Sequence, residues 1–127
     1  MVHWLHHDMH VAHLDLTVDN ILIQNAAFME NKDDGTITVD AKNIKIVICD
    51  WGFAEIFSFD IDNNHIFECA KNGITSDHTH KAPQRIDGLT FDAAKSDCYS
   101  LGVILYEMLI GSKPYLLPNP DKDNGYL

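Results

Sequence analysis

The sequence is short of positive charge. It carries 9 Lys and Arg against 19 Asp and Glu, a formal charge of −10, and no local Lys/Arg cluster offsets that balance, so a nucleic-acid backbone would be repelled. No nucleic-acid partner is expected. Cysteine is also scarce: Cys49, Cys69 and Cys98 are the three in the chain. They are widely spaced and form no C-x-x-C pair, which suits free thiols in a reducing compartment, with a single disulfide among them left open. The first ten residues, MVHWLHHDMH, lack the basic stretch and apolar core of a signal peptide. The longest apolar run, LGVILYEMLIG, is interrupted by Glu107 and is far shorter than a bilayer requires. There is no internal repeat and no low-complexity tract. These absences point to a soluble, intracellular chain, expected in the cytoplasm and without a membrane partner; they leave oligomeric state open.

What is present has the size and composition of one globular domain, or of a piece of a larger one: 127 residues, 46% hydrophobic. Met1, Leu5 and Met9 recur at i, i+4, i+8, so residues 1–10 read as a helix with one face on a core. NILIQ (20–24) and NIKIVIC (43–49) are Ile/Val-rich runs bounded by Asn or Asp and read as strands. Between them Asp34-Gly35, followed by alternating Thr36-Ile37-Thr38-Val39, signals a hairpin. Residues 53–90 are turn-rich and weakly periodic, a long loop of the kind that carries function inside compact domains. The strongest helix signal covers 96–110, with Ser96 as N-cap, Asp97 in the first turn and Gly111 as terminator. Its interior, YSLGVILYEMLI, is apolar on nearly all sides and is expected in the middle of a core. Cys49 and Cys98 then read as small buried hydrophobes, and Cys69, in the loop, is the thiol to test for reactivity. The tail from Ser112, with Pro114, Pro118 and Pro120, reads as an irregular connection.

Four stretches in order, HLDLTVDN (13–20), CDWGFAE (49–55), KAPQR (81–85) and SDCYSLGVILYEMLIGSKPY (96–115), resemble the catalytic-lobe motifs of eukaryotic protein kinases. On the pattern H-R-D-L-x-x-x-N, residues His13, Asp15, Leu16 and Asn20 fall in register. D-F-G appears as Asp50-Trp51-Gly52 after an apolar strand, A-P-E as Ala82-Pro83-Gln84, and Asp97 with its apolar helix resembles the family's central buried helix. The resemblance implies an α+β, mainly helical fold: an incomplete kinase-like C-terminal (large) lobe. It would be a partial kinase domain over 1–127, with a catalytic loop at 13–20, an activation segment at 50–84 and the central helix at 96–110. The implied activity is transfer of phosphate from ATP, with Mg²⁺, to a protein substrate hydroxyl, of serine or threonine rather than tyrosine. Asp15 is implied as the catalytic base. Asn20 and Asp50 are implied as ligands of the metal and so of the nucleotide, since hard cations take oxygen from carboxylates and amides. His13 is implied to brace the loop against the second motif. The two carboxylates are expected to converge across one cleft with the amide between them.

The sequence also departs from the family pattern. Leu14 stands where many kinases have the arginine that reads a phosphorylated activation segment. Thr17 occupies the place of a lysine that reaches the transferring phosphate, and Gln84 that of the A-P-E glutamate. Asp77 and His80 fill the threonine and aromatic positions before Ala82. Trp51 replaces the usual Phe and is expected in the core. The hairpin lengthens the stretch from Asn20 to Asp50. No glycine-rich loop and no V-A-I-K lysine occurs, so the nucleotide-gripping small lobe is expected to be missing and the chain alone to turn over little.

Three alternatives stand beside this reading. Taken singly, Asp15 and Asp50 are ordinary turn residues. A pseudokinase or scaffold module of the same fold would bind partners without transferring phosphate. From a different class, His3, His6, His7 and His10 at i, i+3, i+4 and i+7 could line one helical face and bind Zn²⁺. Ser58, Thr75, Ser76 and Thr79 are hydroxyls open to phosphorylation in the implied activation segment.

Overall fold

Short strands of period two and one long helix divide the chain between two compact units, Met1–Val18 with Asp50–Leu127, and Asp19–Cys49. The computed structural model describes residues 1–59, 65–66, 79–86 and 91–115, without the side chains of Ala41, Phe59, His65 and Ile66. Cys69, Thr75, Ser76, Asp77, most of the long loop and the tail after Tyr115 lie outside the described residues. In chain order the elements are α1 (Val2–His7), β1 (Val11–Ala12), β2 (Ile21–Gln24), β3 (Ala27–Glu30), β4 (Ile37–Asp40), β5 (Lys45–Ile48), β6 (Glu55–Ile56), β7 (Ser58–Phe59), β8 (His65–Ile66), α2 (Pro83–Ile86) and α3 (Ala93–Ile110). Among the described residues helix and strand are about evenly matched, so the expected mainly helical balance is corrected to α+β with two-stranded antiparallel sheets. The strands are numerous but only two to four residues long.

In the Asp19–Cys49 unit the two Ile-rich runs pair as predicted: β2 runs antiparallel to β5, with Ile21 opposite Ile48 and Ile23 opposite Ile46. The predicted hairpin is β3 against β4, with Phe28 opposite Val39 and Glu30 opposite Ile37. Its turn closes through Gly35 N–H to the Asn31 carbonyl at 2.8 Å, with Gly35 at φ +71, a conformation for which a residue without Cβ is suited. Asp34 Oδ1 accepts from Thr36 Oγ1 at 2.7 Å and from Thr36 N at 2.9 Å. These bonds, the side-chain one first, hold the Asp34 carboxyl below its ordinary 3.8. A depressed carboxyl pKa stabilises the folded turn above the ordinary value, and the effect is lost as pH falls through the lowered one. An NMR titration of Asp34 is therefore expected to show a midpoint below 3.8, moving back up in Thr36→Val.

The other unit gathers its core around Ala12, Leu14, Phe57, Phe91, Ala93 and Ala94, with Phe53 packed against it. β1 pairs with β6, placing Ala12 opposite Glu55. α1 is shorter than predicted. Both Asp8 N and Met9 N donate to the Trp4 carbonyl, and His10 at φ +55 turns the chain into β1. The apolar face read from the sequence is corrected as well: Leu5 is buried, but Met1 and Met9 are 57% and 50% exposed, and the second buried residue is His6. A polar ring is tolerated there because a buried acceptor awaits it on α3.

α3 begins at Ala93, not Ser96. Asp92 is the N-cap, its Oδ1 accepting from Lys95 N at 3.0 Å, while the buried Ser96 hydroxyl, in the second turn, has no partner among the described residues. The end is as predicted: Gly111 adopts φ +80 and its N–H donates to the Glu107 carbonyl at 2.8 Å. A left-handed Cβ is penalised by about 1–2 kcal/mol, so Gly111→Ala is expected to destabilise the chain by about that amount in urea unfolding. The all-round burial expected of this helix is corrected to one side of its first two-thirds, at Ala93, Ala94, Ser96, Asp97, Ser100, Val103 and Ile104, with Lys95, Cys98 and Gly102 exposed on the other; Met108 and Leu109 are each 74% exposed. The described core is small and collects at the start of the helix. Cys98 is accordingly exposed and Cys49 half-buried, correcting their reading as core hydrophobes. Among the described residues no helix is long and apolar enough to cross a membrane.

Candidate active site

The run from His13 to Thr17 follows β1 directly, and its side chains are buried at every position except Asp15, which is half-buried. That pattern requires a backbone that is neither helix nor strand, and Leu14 supplies the kink at φ +61, uncommon for a branched residue. Asp97 holds it in place. Its carboxylate, 0% exposed, accepts from Leu14 N on Oδ1 at 2.8 Å, and from His13 N at 2.8 Å and His6 Nε2 at 2.9 Å on Oδ2. Three donors on one buried carboxylate make charge-assisted bonds, stronger than neutral ones and sheltered from water. From the other side the Arg85 guanidinium donates to the Leu14 carbonyl and lies 5.4 Å from the Phe91 ring centroid. Both peptide groups around Leu14 are thus tied to α2 or α3, and Asp15 follows a fixed residue. Its own N–H donates to His13 Nδ1 at 3.3 Å, which makes that nitrogen an acceptor.

The Asp50-Trp51-Gly52 triplet belongs to the same unit. Asp50 is exposed and, like Leu14, left-handed at φ +59. Its Oδ1 accepts from Gly52 N at 3.3 Å, and a Cβ at position 52 would stand 3.3 Å from that oxygen, so a side chain there would crowd the carboxylate. Of the four non-glycine residues with positive φ among those described, two therefore sit in the two motifs, where strained backbone tends to gather. Trp51 is not in the core: it is 43% exposed, and its ring meets that of His13 edge-on at 4.7 Å. Asn20 belongs to the other unit, at the end of a short 3-10 turn; its carbonyl accepts from Cys49 N at 2.9 Å.

Several family departures acquire a physical meaning. Leu14 is part of the core, and Thr17 is buried. The stretch Thr79–Ala82 is buried throughout and docks on α3: Ser100 Oγ donates to the His80 carbonyl at 2.6 Å, and His80 Nε2 meets Glu107 Oε2 at 2.7 Å. Thr79 is therefore shielded as a phosphorylation site, whereas Ser58 is exposed. Gln84 is exposed on α2. The four-imidazole face does not form, because α1 ends at His7. His6 is committed to Asp97, and the His10 ring is stacked on Phe57 at 6.1 Å. Among the described residues no group of three or more His, Cys, Asp or Glu could hold a metal ion.

The family model described as the protein kinase domain matches residues 1–125. The chain belongs to the protein kinase domain family. It is 29% identical to Mitogen-activated protein kinase kinase 2 of Arabidopsis thaliana over 94% of the chain and 26% of that protein. It is 30% identical to Calmodulin-binding receptor-like cytoplasmic kinase 1 of the same plant over 91% and 20%. Against Testis-specific serine/threonine-protein kinase 1 of Mus musculus it is 29% identical over 86% and 24%. The chain thus spans about a quarter or less of these kinases, and its small antiparallel sheets and few helices agree with part of a kinase fold. Sequence reasoning missed the anchoring pair His6 and Asp97. The available signal was Asp97 itself, an acid at the head of a helix read as buried, which a first-turn reading explained away.

Proposed function

We propose that residues 1–127 form the catalytic-loop to central-helix part of the large lobe of a kinase domain, and that the parent protein transfers phosphate from ATP to serine or threonine of a protein substrate. Asp15 is the proposed base, orienting the attacking hydroxyl and accepting its proton. Asn20 and Asp50 are the proposed Mg²⁺ ligands. Their oxygen donors suit a hard cation, and Asp50 is exposed as a ligand carboxylate must be. When bound, the metal neutralises phosphate charge. The residues do the positioning: Asp97 fixes the His13 and Leu14 amides and so the residue after them, and Gly52 leaves room at Asp50. The observation that carries the reading is the Asp97 clamp on the strained run of residues 13–17, in which Asp15 alone is not fully buried. Residues 1–127 alone are expected to turn over little, since nothing in their sequence matches the nucleotide-gripping motifs.

A pseudokinase reading has one specific support, the buried Thr17 in place of a phosphate-reaching cation. The full-length protein decides between them. Labelled phosphate should pass from γ-labelled ATP to serine or threonine of a general protein substrate, and EDTA should stop it. Incorporation no higher than in the enzyme-free control with Mg²⁺ present would refute catalysis.

A further inference from the structure

With His6 and His10 committed elsewhere, two imidazoles remain on the exposed face of α1. His3 and His7 are one helical turn apart, both solvent-exposed, with ring centroids 4.2 Å apart and planes inclined at 39°. Ligand bonds of about 2.0–2.1 Å place two imidazole nitrogens about 3.3 Å apart in the tetrahedral array of Zn²⁺ and about 2.9 Å apart at cis positions of the square-planar array favoured by Cu²⁺ and Ni²⁺. The ring centroids, 4.2 Å apart, stand about an ångström farther apart than ligating nitrogens would, so one ion could draw both rings together. Imidazole pairs suit Cu²⁺, Ni²⁺ and Zn²⁺ in the usual affinity order, Cu²⁺ strongest. As no third protein ligand is in place among the described residues, water would complete the coordination and the affinity would be modest.

The turn so bridged has a second face. α1 is 6 residues long, well below the roughly 12–15 at which an isolated helix is even marginal in water, and it carries His6, one of the three donors to Asp97. We propose that His3 and His7 chelate one divalent transition-metal ion, Cu²⁺ or Ni²⁺ before Zn²⁺, and that this clamp stabilises the helix that supports the catalytic loop through His6 and Asp97. The site is separate from the proposed Mg²⁺ ligands and is tested without nucleotide.

The test titrates CuCl₂ or NiCl₂ into the chain with its N-terminal amine acetylated, so that the amine is not a ligand, and follows binding by calorimetry and Cu²⁺ by electron paramagnetic resonance. One ion per chain with two nitrogen ligands is expected. Metal at about 100 times Kd should raise the thermal midpoint by a few degrees. His3→Ala and His7→Ala, both at exposed positions, should keep the fold by circular dichroism and bind on the order of 100-fold more weakly, as expected when one arm of a chelate is lost. His10→Ala should bind like the parent. Unchanged affinity in His7→Ala, loss of binding in His10→Ala, or no binding below millimolar metal would each overturn the proposal.

Discussion

Asp97→Asn is expected to lower the unfolding free energy by roughly 3–5 kcal/mol, the largest stability change of any single side chain considered for this chain. The substitution is nearly isosteric, so no cavity term enters. What changes is the count of acceptors: an amide offers one oxygen where the carboxylate offers two, and its NH₂ must face the N–H of either His13 or Leu14, both now 2.8 Å from a carboxylate oxygen. A buried donor left without an acceptor costs about 1–3 kcal/mol, more where the lost bond was charge-assisted, and His6 also loses its anionic partner. Leu14 would then have reason to leave its left-handed conformation, and the loop its shape. Urea unfolding followed by circular dichroism measures the effect. A loss of under about 1 kcal/mol would mean that the clamp contributes little and that Leu14 is held by core packing and Arg85 alone. His6→Gln, which keeps a donor but alters its reach, should fall between the parent and Asp97→Asn.

The contrast between what the sequence showed and what it hid follows the range of the interactions. The hairpin was legible because Asp34-Gly35 and the alternating residues after it act within a few positions, and the turn closes on Asn31 and Thr36. The end of α3 was legible for the same reason, Gly111 bonding to the carbonyl four residues back. Its start was misplaced: Ser96 and Asp92 are both competent caps, and choosing between them depends on Ala93 and Ala94 fitting the core, which no local signal states. The amphipathic reading of α1 failed because periodicity counts apolar residues only. His6 is buried through an acceptor 91 positions away, invisible to any window of one helix. The site divides in the same manner. Asp15, Asn20 and Asp50 were named through short motifs, whereas the groups that hold the loop, Asp97, His6 and Arg85, come from elements remote in sequence.

In the full-length protein, Asp15→Asn is expected to reduce phosphate transfer by about 10²- to 10⁴-fold, the usual worth of a positioned general base, or about 2.7–5.5 kcal/mol in the barrier. Because Asp15 is proposed to act on the attacking hydroxyl, the loss should appear in kcat with the KM for ATP little changed, the sign of an interaction made in the transition state. Asp50→Asn should behave differently, raising the Mg²⁺ and ATP concentrations required, since a neutral amide is the weaker ligand for a hard cation. The Asp97 variant supplies the control for a purely structural loss: it should lower activity together with the urea midpoint, whereas Asp15→Asn, altering a half-buried side chain, should leave that midpoint far less affected. A parent and an Asp15→Asn protein with equal rates above background would remove Asp15 from the chemistry while leaving the fold intact. A split of the effect in KM for ATP instead of kcat would reassign it to nucleotide binding. Only a fall in kcat with the midpoint held close to the parent's is consistent with a base positioned by the Asp97 clamp.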